Sequence, residues 1–259
     1  MKGKAMPSPP GRVAFTVFGL PIMWYGILIA AALALATLVV YKRAWRHGVK
    51  PEKTIDFIII CVPAGLIGAR LYYVAFNWDY FGGDLLRVVN IRAGGLAVHG
   101  GLILGFLAAF ALCRLWDVKP LEALDLAAPS VALAQAVGRW GNYFNQEAYG
   151  GPTDLPWALA IDGQRVHPTF LYESLWCLLL FLFLLKIDGN RRFAGQTFLL
   201  YGMLYSLERF FVEQLRTDSL ILLGQFKQAQ VFSAAAFAVC LALYAVLRRK
   251  EDRRADFRL

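Results

Sequence analysis

Apolar residues recur along this chain in runs close to twenty long. Seven stretches, roughly 17–41, 54–76, 93–113, 121–145, 168–185, 194–215 and 228–247, are mostly apolar, and a helix needs about 20 such residues to cross a bilayer. The first and last hold no charged side chain, and the third holds only His99. The other four carry between one and three charges each. This pattern predicts an all-α polytopic membrane protein, a bundle of about seven transmembrane helices forming one domain over 1–259. Pro7, Pro9, Pro10 and Gly11 predict a short irregular start over 1–12, and the run "RRKEDRRADFRL" predicts a basic tail over 248–259.

Composition agrees with that pattern. The chain is 58% hydrophobic and 17% charged, against about 25% charged in ordinary soluble domains. Its start, with Lys2, Lys4 and Arg12 ahead of an apolar run, resembles a signal peptide, but the run is about 25 residues long and a signal core is about 7–15. An uncleaved span is therefore expected. Cys61, Cys113, Cys177 and Cys240 all fall in predicted spans without metal-like spacing and read as small packing residues. With three histidines in all, His47, His99 and His167, no metal site is expected.

Basic residues collect in alternate connections. Segments 42–53, 114–119, 186–192 and 248–259 hold sixteen of the 27 Lys and Arg, while the N-terminus, 77–92, 146–167 and 216–227 hold eight. Cytoplasmic loops are the Lys/Arg-rich ones, so the N-terminus is expected outside and the C-terminus in the cytoplasm. The net charge of +9 is then a topology determinant that also suits anionic lipid headgroups. No nucleic-acid-binding pattern is present.

Three arginines remain: Arg70, Arg139 and Arg209, each inside a predicted span toward its outer end. Intramembrane charges usually face a bundle interior or an aqueous cavity. Three on one side suggest an anion site near the outer surface, and snorkelling or ion pairing is the alternative. Arg209 has Glu213 at i+4 as a ready partner. In "VALAQAVGRWGNYFNQEAYGG", residues 131–151, Arg139 and Asn142 share a helix face, and Asn145, Glu147, Gly150 and Gly151 follow as the chain leaves the span. A guanidinium fork suits phosphate, and asparagines suit hydroxyls and carbonyls. An interfacial turn meeting water is the other reading. His99 lies among Gly94, Gly95, Gly100 and Gly101; it is either a packing residue or a general base, since imidazole titrates near neutral pH. Tyr201, Tyr205, Arg209 and Glu213 recur at steps of four and form one polar stripe. Tyr25 in "PIMWYG" is either an interfacial anchor or part of the site. "HPTFLYES" (167–174) opens the fifth span with Pro168 and leaves Glu173 as a costly charge inside it.

At these residues the sequence closely resembles the bacterial prolipoprotein diacylglyceryl transferases. That family's signature, G-R-x-G-N-aromatic-x-N-x-E-x-x-G, is matched by Gly138, Arg139, Gly141, Asn142, Tyr143, Asn145, Glu147 and Gly150. "WYG" at 24–26, "GAR" at 68–70, "GGLAVHGG" at 94–101, "HPTFLYE" at 167–173 and "YSLERFFVEQLR" at 205–216 resemble the family's other blocks in order, from about 17 to 248. The resemblance implies seven spans in the bacterial cytoplasmic (inner) membrane, with the active site toward the outer face. It implies that a diacylglyceryl group moves from phosphatidylglycerol to the lipobox cysteine of a preprolipoprotein, with no cofactor and no metal. Phosphatidylglycerol, preprolipoproteins and membrane lipid are the implied partners. His99, Arg139, Arg209, Tyr25 and Tyr205 are the implied catalytic residues, and Arg139, Asn142, Asn145, Glu147 and Gly150 the implied phosphatidylglycerol ligands; Arg70 joins these expected ligands on the intramembrane-charge argument. A transporter would instead show repeated halves or paired broken helices, which this sequence lacks.

Overall fold

The computed structural model describes residues 6–82, 84–91, 94–222 and 226–256. Lys2, Lys4, position 93, Arg92 and the last three residues of the basic tail lie outside them. The chain divides into two compact units, one made of 1–39 with 124–259, the other of 40–123.

The first unit opens with a hairpin where the hydropathy predicts the beginning of a span. Strands β1 (Val13–Val17) and β2 (Leu20–Met23) pair antiparallel with Val17 opposite Leu20. The turn residues Phe18 and Gly19 have φ of 47° and 79°, the positive values that two-residue hairpin turns of type I′ require at both positions. Helix α1 (Trp24–Arg43) therefore starts at Trp24 and not near 17. Apolar content alone does not separate a short strand from a helix, and Pro21 cannot donate into a helical ladder. The segment expected to be irregular over 1–12 is partly pinned: Met6 N donates to Ala158 O at 2.7 Å, and Ala160 N returns a bond to Met6 O at 3.2 Å.

In the second unit a 3₁₀ turn (Ala44–His47) leads into α2 (Pro51–Phe76), the short helices α3 (Trp78–Phe81) and α4 (Leu85–Val89), and α5 (Val98–Leu115). Pro51 stands at the first helical position, where its missing N–H is harmless. Helices α2 and α5 pack together along glycines. A Cβ on Gly68 would run into the Gly100 backbone, one on Gly100 into Gly68, and one on Gly101 would meet Gly65 O at 3.2 Å. Small residues are what let helices approach this closely in lipid.

The first unit continues with α6 (Pro120–Asn145), the hairpin β3 (Leu159–Ile161) and β4 (Gln164–Val166), α7 (Thr169–Asp188), α8 (Gln196–Leu215), the two-residue strands β5 (Ile221–Leu222) and β6 (Phe226–Lys227), and α9 (Gln228–Asp256). Helix α9 runs on through the described part of the basic tail. Helix α8 packs against both α7 and α9. Ala132, Leu180 and Leu184 form a buried core with Trp176, Leu204 and Tyr205. Asp125, fully buried on α6, accepts from Gly195 N at 2.7 Å and Phe198 N at 2.8 Å. It thereby caps the orphan N–H groups at the start of α8 from a different helix.

Among the described residues, five helices are long and apolar enough to cross a membrane: Trp24–His47, Pro51–Phe76, Val98–Leu115, Thr169–Asp188 and Gln228–Arg254. Many large apolar side chains on them are exposed, among them Ile59, Phe110, Leu179 and Val246. Apolar exposure on this scale in each unit fits lipid surroundings better than water. Helices α6 and α8, with 26 and 20 residues, are long enough but less apolar. Their charges include Asp125 and Arg139 on α6, and Glu208, Arg209 and Glu213 on α8.

Candidate functional site

Most of the polar residues singled out in the sequence come together in the first unit, where α6, α7 and α8 meet. Glu173 on α7 is 1% exposed, and its Oε1 lies 3.0 Å from Arg139 Nη2 and 3.2 Å from Arg209 Nη1. One buried carboxylate oxygen therefore joins two guanidinium groups from two other helices. Arg209 also reaches Glu213 Oε2 at 2.6 Å, one turn along α8, as an ion pair and not as an aligned hydrogen bond. Arg139 Nη2 donates to Tyr205 Oη at 3.3 Å, and Tyr205 stacks on Tyr201, whose hydroxyl donates to Gln135 on α6 at 3.0 Å. The polar stripe on α8 thus faces the other helices, as the four-residue spacing predicts. Both arginine side chains keep 18% of their surface exposed while their carboxylate partners are almost entirely buried.

The signature segment makes a second cluster at the end of α6. Asn142 Nδ2 and Asn145 Nδ2 both donate to Glu147 Oε1, at 2.9 and 3.2 Å. Arg12 Nη2 donates to the Asn145 carbonyl at 3.2 Å. Arg139 and Asn142 thus share a helix face but have different partners. The chain turns back through Gln146 and Ala148, whose φ values are 55° and 56°, and Thr169 Oγ1 donates to Ala148 O. Two signature glycines have steric causes. A Cβ on Gly141 would collide with the Tyr25 ring, and one on Gly150 would lie 2.7 Å from His167 Cβ and 2.9 Å from Leu215 O. Gly150 N donates to His167 O and Gly151 N to Leu215 O, both at 2.9 Å. These bonds fasten the signature loop to the end of α8, the helix that carries Arg209. Lys227 Nζ secures the same end by donating to the carbonyls of Glu213 and Arg216, each at 2.7 Å, a favourable place for a cation. Beyond α8, Arg216 holds Asp218 through bonds of 2.9 and 2.7 Å. That hydrogen bonding keeps the Asp218 carboxyl below the usual carboxylate range.

His99 and Arg70 belong to the second unit. His99 sits in the first turn of α5, exposed, with its ring centroid 6.2 Å from that of Tyr72. Arg70 is 6% exposed. Its Nε donates to Val88 O, its Nη1 to Gly94 O and Gly95 O, and its Nη2 to Arg87 O and Asn90 O, at 2.6–3.0 Å. A guanidinium has five N–H groups, and here all five are engaged by carbonyls of the segment leading into α5. Gly95, with φ 77°, leaves room for this: a Cβ there would lie 2.6 Å from Arg70 Nη1. As placed, Arg70 organises that segment and has no donor left for a phosphate.

Sequence reasoning flagged Glu173 only as a costly charge, and it did not single out Glu208. Glu173 is the only charged residue between 168 and 185, and that isolation was the available signal. A lone carboxylate in an apolar span needs a cationic partner from another helix, and two arginines were waiting for one.

The chain is similar to known proteins over most of its length. The family pattern described as "Prolipoprotein diacylglyceryl transferase" matches residues 12–246. Among similar proteins, the phosphatidylglycerol–prolipoprotein diacylglyceryl transferase of Clostridioides difficile (strain 630) is 50% identical over 222 residues, covering 86% of this chain and 89% of that protein. The enzyme of the same name from Finegoldia magna is 47% identical, covering 86% of this chain and 90% of its own length. That from Staphylococcus aureus (strain JH9) is 38% identical, covering 92% and 89%. The chain belongs to the prolipoprotein diacylglyceryl transferase family.

Proposed function

We propose that this protein transfers the diacylglyceryl group of phosphatidylglycerol to the thiol of a lipobox cysteine in a preprolipoprotein. A carbon–sulfur bond forms, the glyceryl carbon–oxygen bond to phosphate breaks, and glycerol phosphate leaves with the electron pair. The observation that best supports this reading is the convergence of Arg139 and Arg209 from separate helices on one buried carboxylate oxygen. That arrangement holds two positive charges side by side, each partly exposed, where a phosphodiester can meet both. As the carbon–oxygen bond breaks, negative charge grows on the phosphate, and fixed guanidinium groups stabilise it without reorganising. Tyr205, hydrogen-bonded to Arg139, fixes the direction of that guanidinium. Asn142, Asn145, Glu147 and Gly150 form the headgroup's polar rim, where the two asparagines and Glu147 can exchange their mutual bonds for the glycerol hydroxyls. Tyr25, lodged against Gly141, borders the same rim. The chain needs neither metal nor cofactor for these roles. Arg70 acts indirectly, by holding the segment that leads into α5.

A thiol must become a thiolate to attack carbon, and free cysteine has a pKa near 8.5. We assign the acceptance of that proton to His99, on the family resemblance and on its exposed imidazole. General base catalysis is typically worth about 10²–10⁴-fold. His99→Gln should lose activity on that scale while retaining its fold. Near-normal turnover at pH 7 would remove the base assignment. The whole reading is tested by incubating purified protein with headgroup-labelled phosphatidylglycerol and a lipobox peptide. Glycerol phosphate should be released only when the peptide carries a free thiol. Release without the thiol would indicate a phospholipase instead.

The reading also includes seven spans, with α6 and α8 crossing the bacterial cytoplasmic membrane beside the five more apolar helices. The N-terminus and the signature loop face outward and the basic tail faces the cytoplasm. Both substrates lie in or are tethered to that membrane, so access is lateral, between helices.

A further inference from the structure

One buried charge near the two arginines has no place in the scheme above. Glu208 immediately precedes Arg209 on α8 and is 6% exposed. Among the described residues, neither of its carboxylate oxygens has a hydrogen-bond partner. Its charged neighbours are Glu173 on α7, Arg139 on α6 and Arg209 on its own helix. Further titratable groups in the cluster are Tyr201, Tyr205 and Glu213 on α8 and Cys177 on α7, and Arg216, just past α8, lies 4.0 Å from Glu213 Oε2 and is itself paired with Asp218. Helix α9, which packs along α8, has no titratable side chain between Gln228 and Val239.

Three guanidinium groups, of Arg139, Arg209 and Arg216, face four carboxyl groups: Glu173, Glu213 and Asp218, all ion-paired, and Glu208, without a hydrogen bond. With all four ionised the cluster is already anionic. A phosphodiester would add another negative charge to a poorly solvated place, where an unpaired charge is costly. Glu173 and Glu213 hold the arginines in place and cannot become neutral without releasing them. Glu208 holds nothing.

Resting on the phosphatidylglycerol reading, we infer that Glu208 carries the proton that lets the arginine pair accept an anionic phosphodiester headgroup, so that lipid binding is coupled to protonation of this one carboxyl. When Glu208 is protonated, the cluster balances three positive charges against three negative ones, and the phosphodiester is met by arginines whose field no unpaired carboxylate cancels. When Glu208 ionises, the lipid anion is repelled. Glu208 is thus a positioning residue for charge and does not itself touch the reacting atoms.

The test measures binding of phosphatidylglycerol to purified protein in zwitterionic nanodiscs from pH 5 to pH 9, alongside phosphatidylmethanol, a phosphodiester lipid without the glycerol headgroup. Both lipids stay singly charged across that range. For wild type, affinity should fall with rising pH and approach about tenfold per unit once Glu208 is ionised, the slope for one linked proton. Glu208→Gln, which keeps the shape and removes the titration, should bind with no such slope and at least as tightly as wild type does at low pH. His99→Gln should keep the slope, which separates this carboxyl from the imidazole. Calorimetry in two buffers of different ionisation enthalpy should show proton uptake on binding by wild type near neutral pH, a readout independent of whether Glu208→Gln folds. Phosphatidylglycerol binding that is flat with pH, or a slope retained in Glu208→Gln, overturns the inference and leaves the headgroup reading intact. A slope seen with phosphatidylmethanol while phosphatidylglycerol fails to bind keeps the inference and overturns that reading. Failure of both lipids to bind overturns both.

Discussion

Arg139 and Glu173 define the residue scale. Sequence spacing gives Arg139 no acidic partner on its own helix, but the fold supplies one from α7 at 3.0 Å. Arg139 Nη2 also serves Tyr205 Oη, so the guanidinium is oriented by two groups at once. Arg139→Lys keeps the charge but loses the planar fork. Losing one charge-assisted hydrogen bond costs about 1.5–3 kcal/mol, so turnover should fall roughly 10- to 150-fold, and Arg139→Ala should be worse. Steady-state assays on protein shown to be folded by circular dichroism decide this, and near-normal turnover by the lysine variant would remove the fork from the mechanism. Glu173→Gln makes the opposite change. It leaves two guanidinium groups at a nearly buried oxygen without their shared countercharge, and breaking a buried pair this way costs about 3–5 kcal/mol. The variant should unfold earlier than wild type in neutral lipid, and phosphatidylglycerol should restore its stability more than it stabilises wild type, because the lipid anion supplies the missing charge. Thermal unfolding in nanodiscs with and without the lipid reads both effects, and equal stabilisation of the two proteins would separate Glu173 from the headgroup site.

At the scale of elements, helices α6, α7 and α8 place the arginine cluster, and a loop fastens them together. Gly150 sits where a Cβ would lie 2.7 Å from His167 Cβ and 2.9 Å from Leu215 O. Gly150→Ala must push apart the signature loop and the end of α8. Overpacking of this kind costs about 1–3 kcal/mol. Activity should fall more than stability, because the shift moves Arg209 relative to Arg139; full activity with lowered stability would make the glycine purely structural. The helices themselves were legible in the sequence because long apolar runs report helices directly. The predicted span 168–185 meets Thr169–Asp188, and 194–215 meets Gln196–Leu215. The hairpins were not legible. Strands of two to five residues such as Val13–Val17 and Leu159–Ile161 are too short to show alternation, and apolar β1 and β2 merge with the helix that follows. Of the site, the arginines, tyrosines and signature residues could be read from spacing and resemblance. The pairing of both arginines with Glu173 could not, because it joins residues 34 and 36 positions apart, and a helix face names no partner. Nor could the role of Arg70, whose five carbonyl partners lie on the short helix α4 and the irregular segment after it.

For the whole molecule, the question is how the helices are oriented in the membrane. The arginine cluster and the signature loop lie near one end of α6 and α8, while the opposite ends of these helices adjoin the basic segments 114–119 and 186–192. Sixteen basic residues against eight predict that those basic ends are cytoplasmic, which puts the anion site outside, where lipoprotein precursors would present a lipobox cysteine. Charge bias orients short loops reliably, and every connection between predicted spans here is short. The prediction is tested with single cysteines at two exposed positions, Asp154→Cys near the signature loop and Arg254→Cys in the basic tail. The background must first lose Cys61, Cys113, Cys177 and Cys240, of which Cys61 and Cys240 are only partly buried. In intact cells, or spheroplasts if an outer membrane is present, a membrane-impermeant maleimide should label position 154 and leave 254 unlabelled until the membrane is permeabilised. The reverse pattern would put the arginines on the cytoplasmic side, away from any exported thiol, and the transfer reaction would lose its second substrate. Labelling of both positions would mean that α9 does not separate them, and the five-helix minimum set by hydropathy would then have to be redrawn.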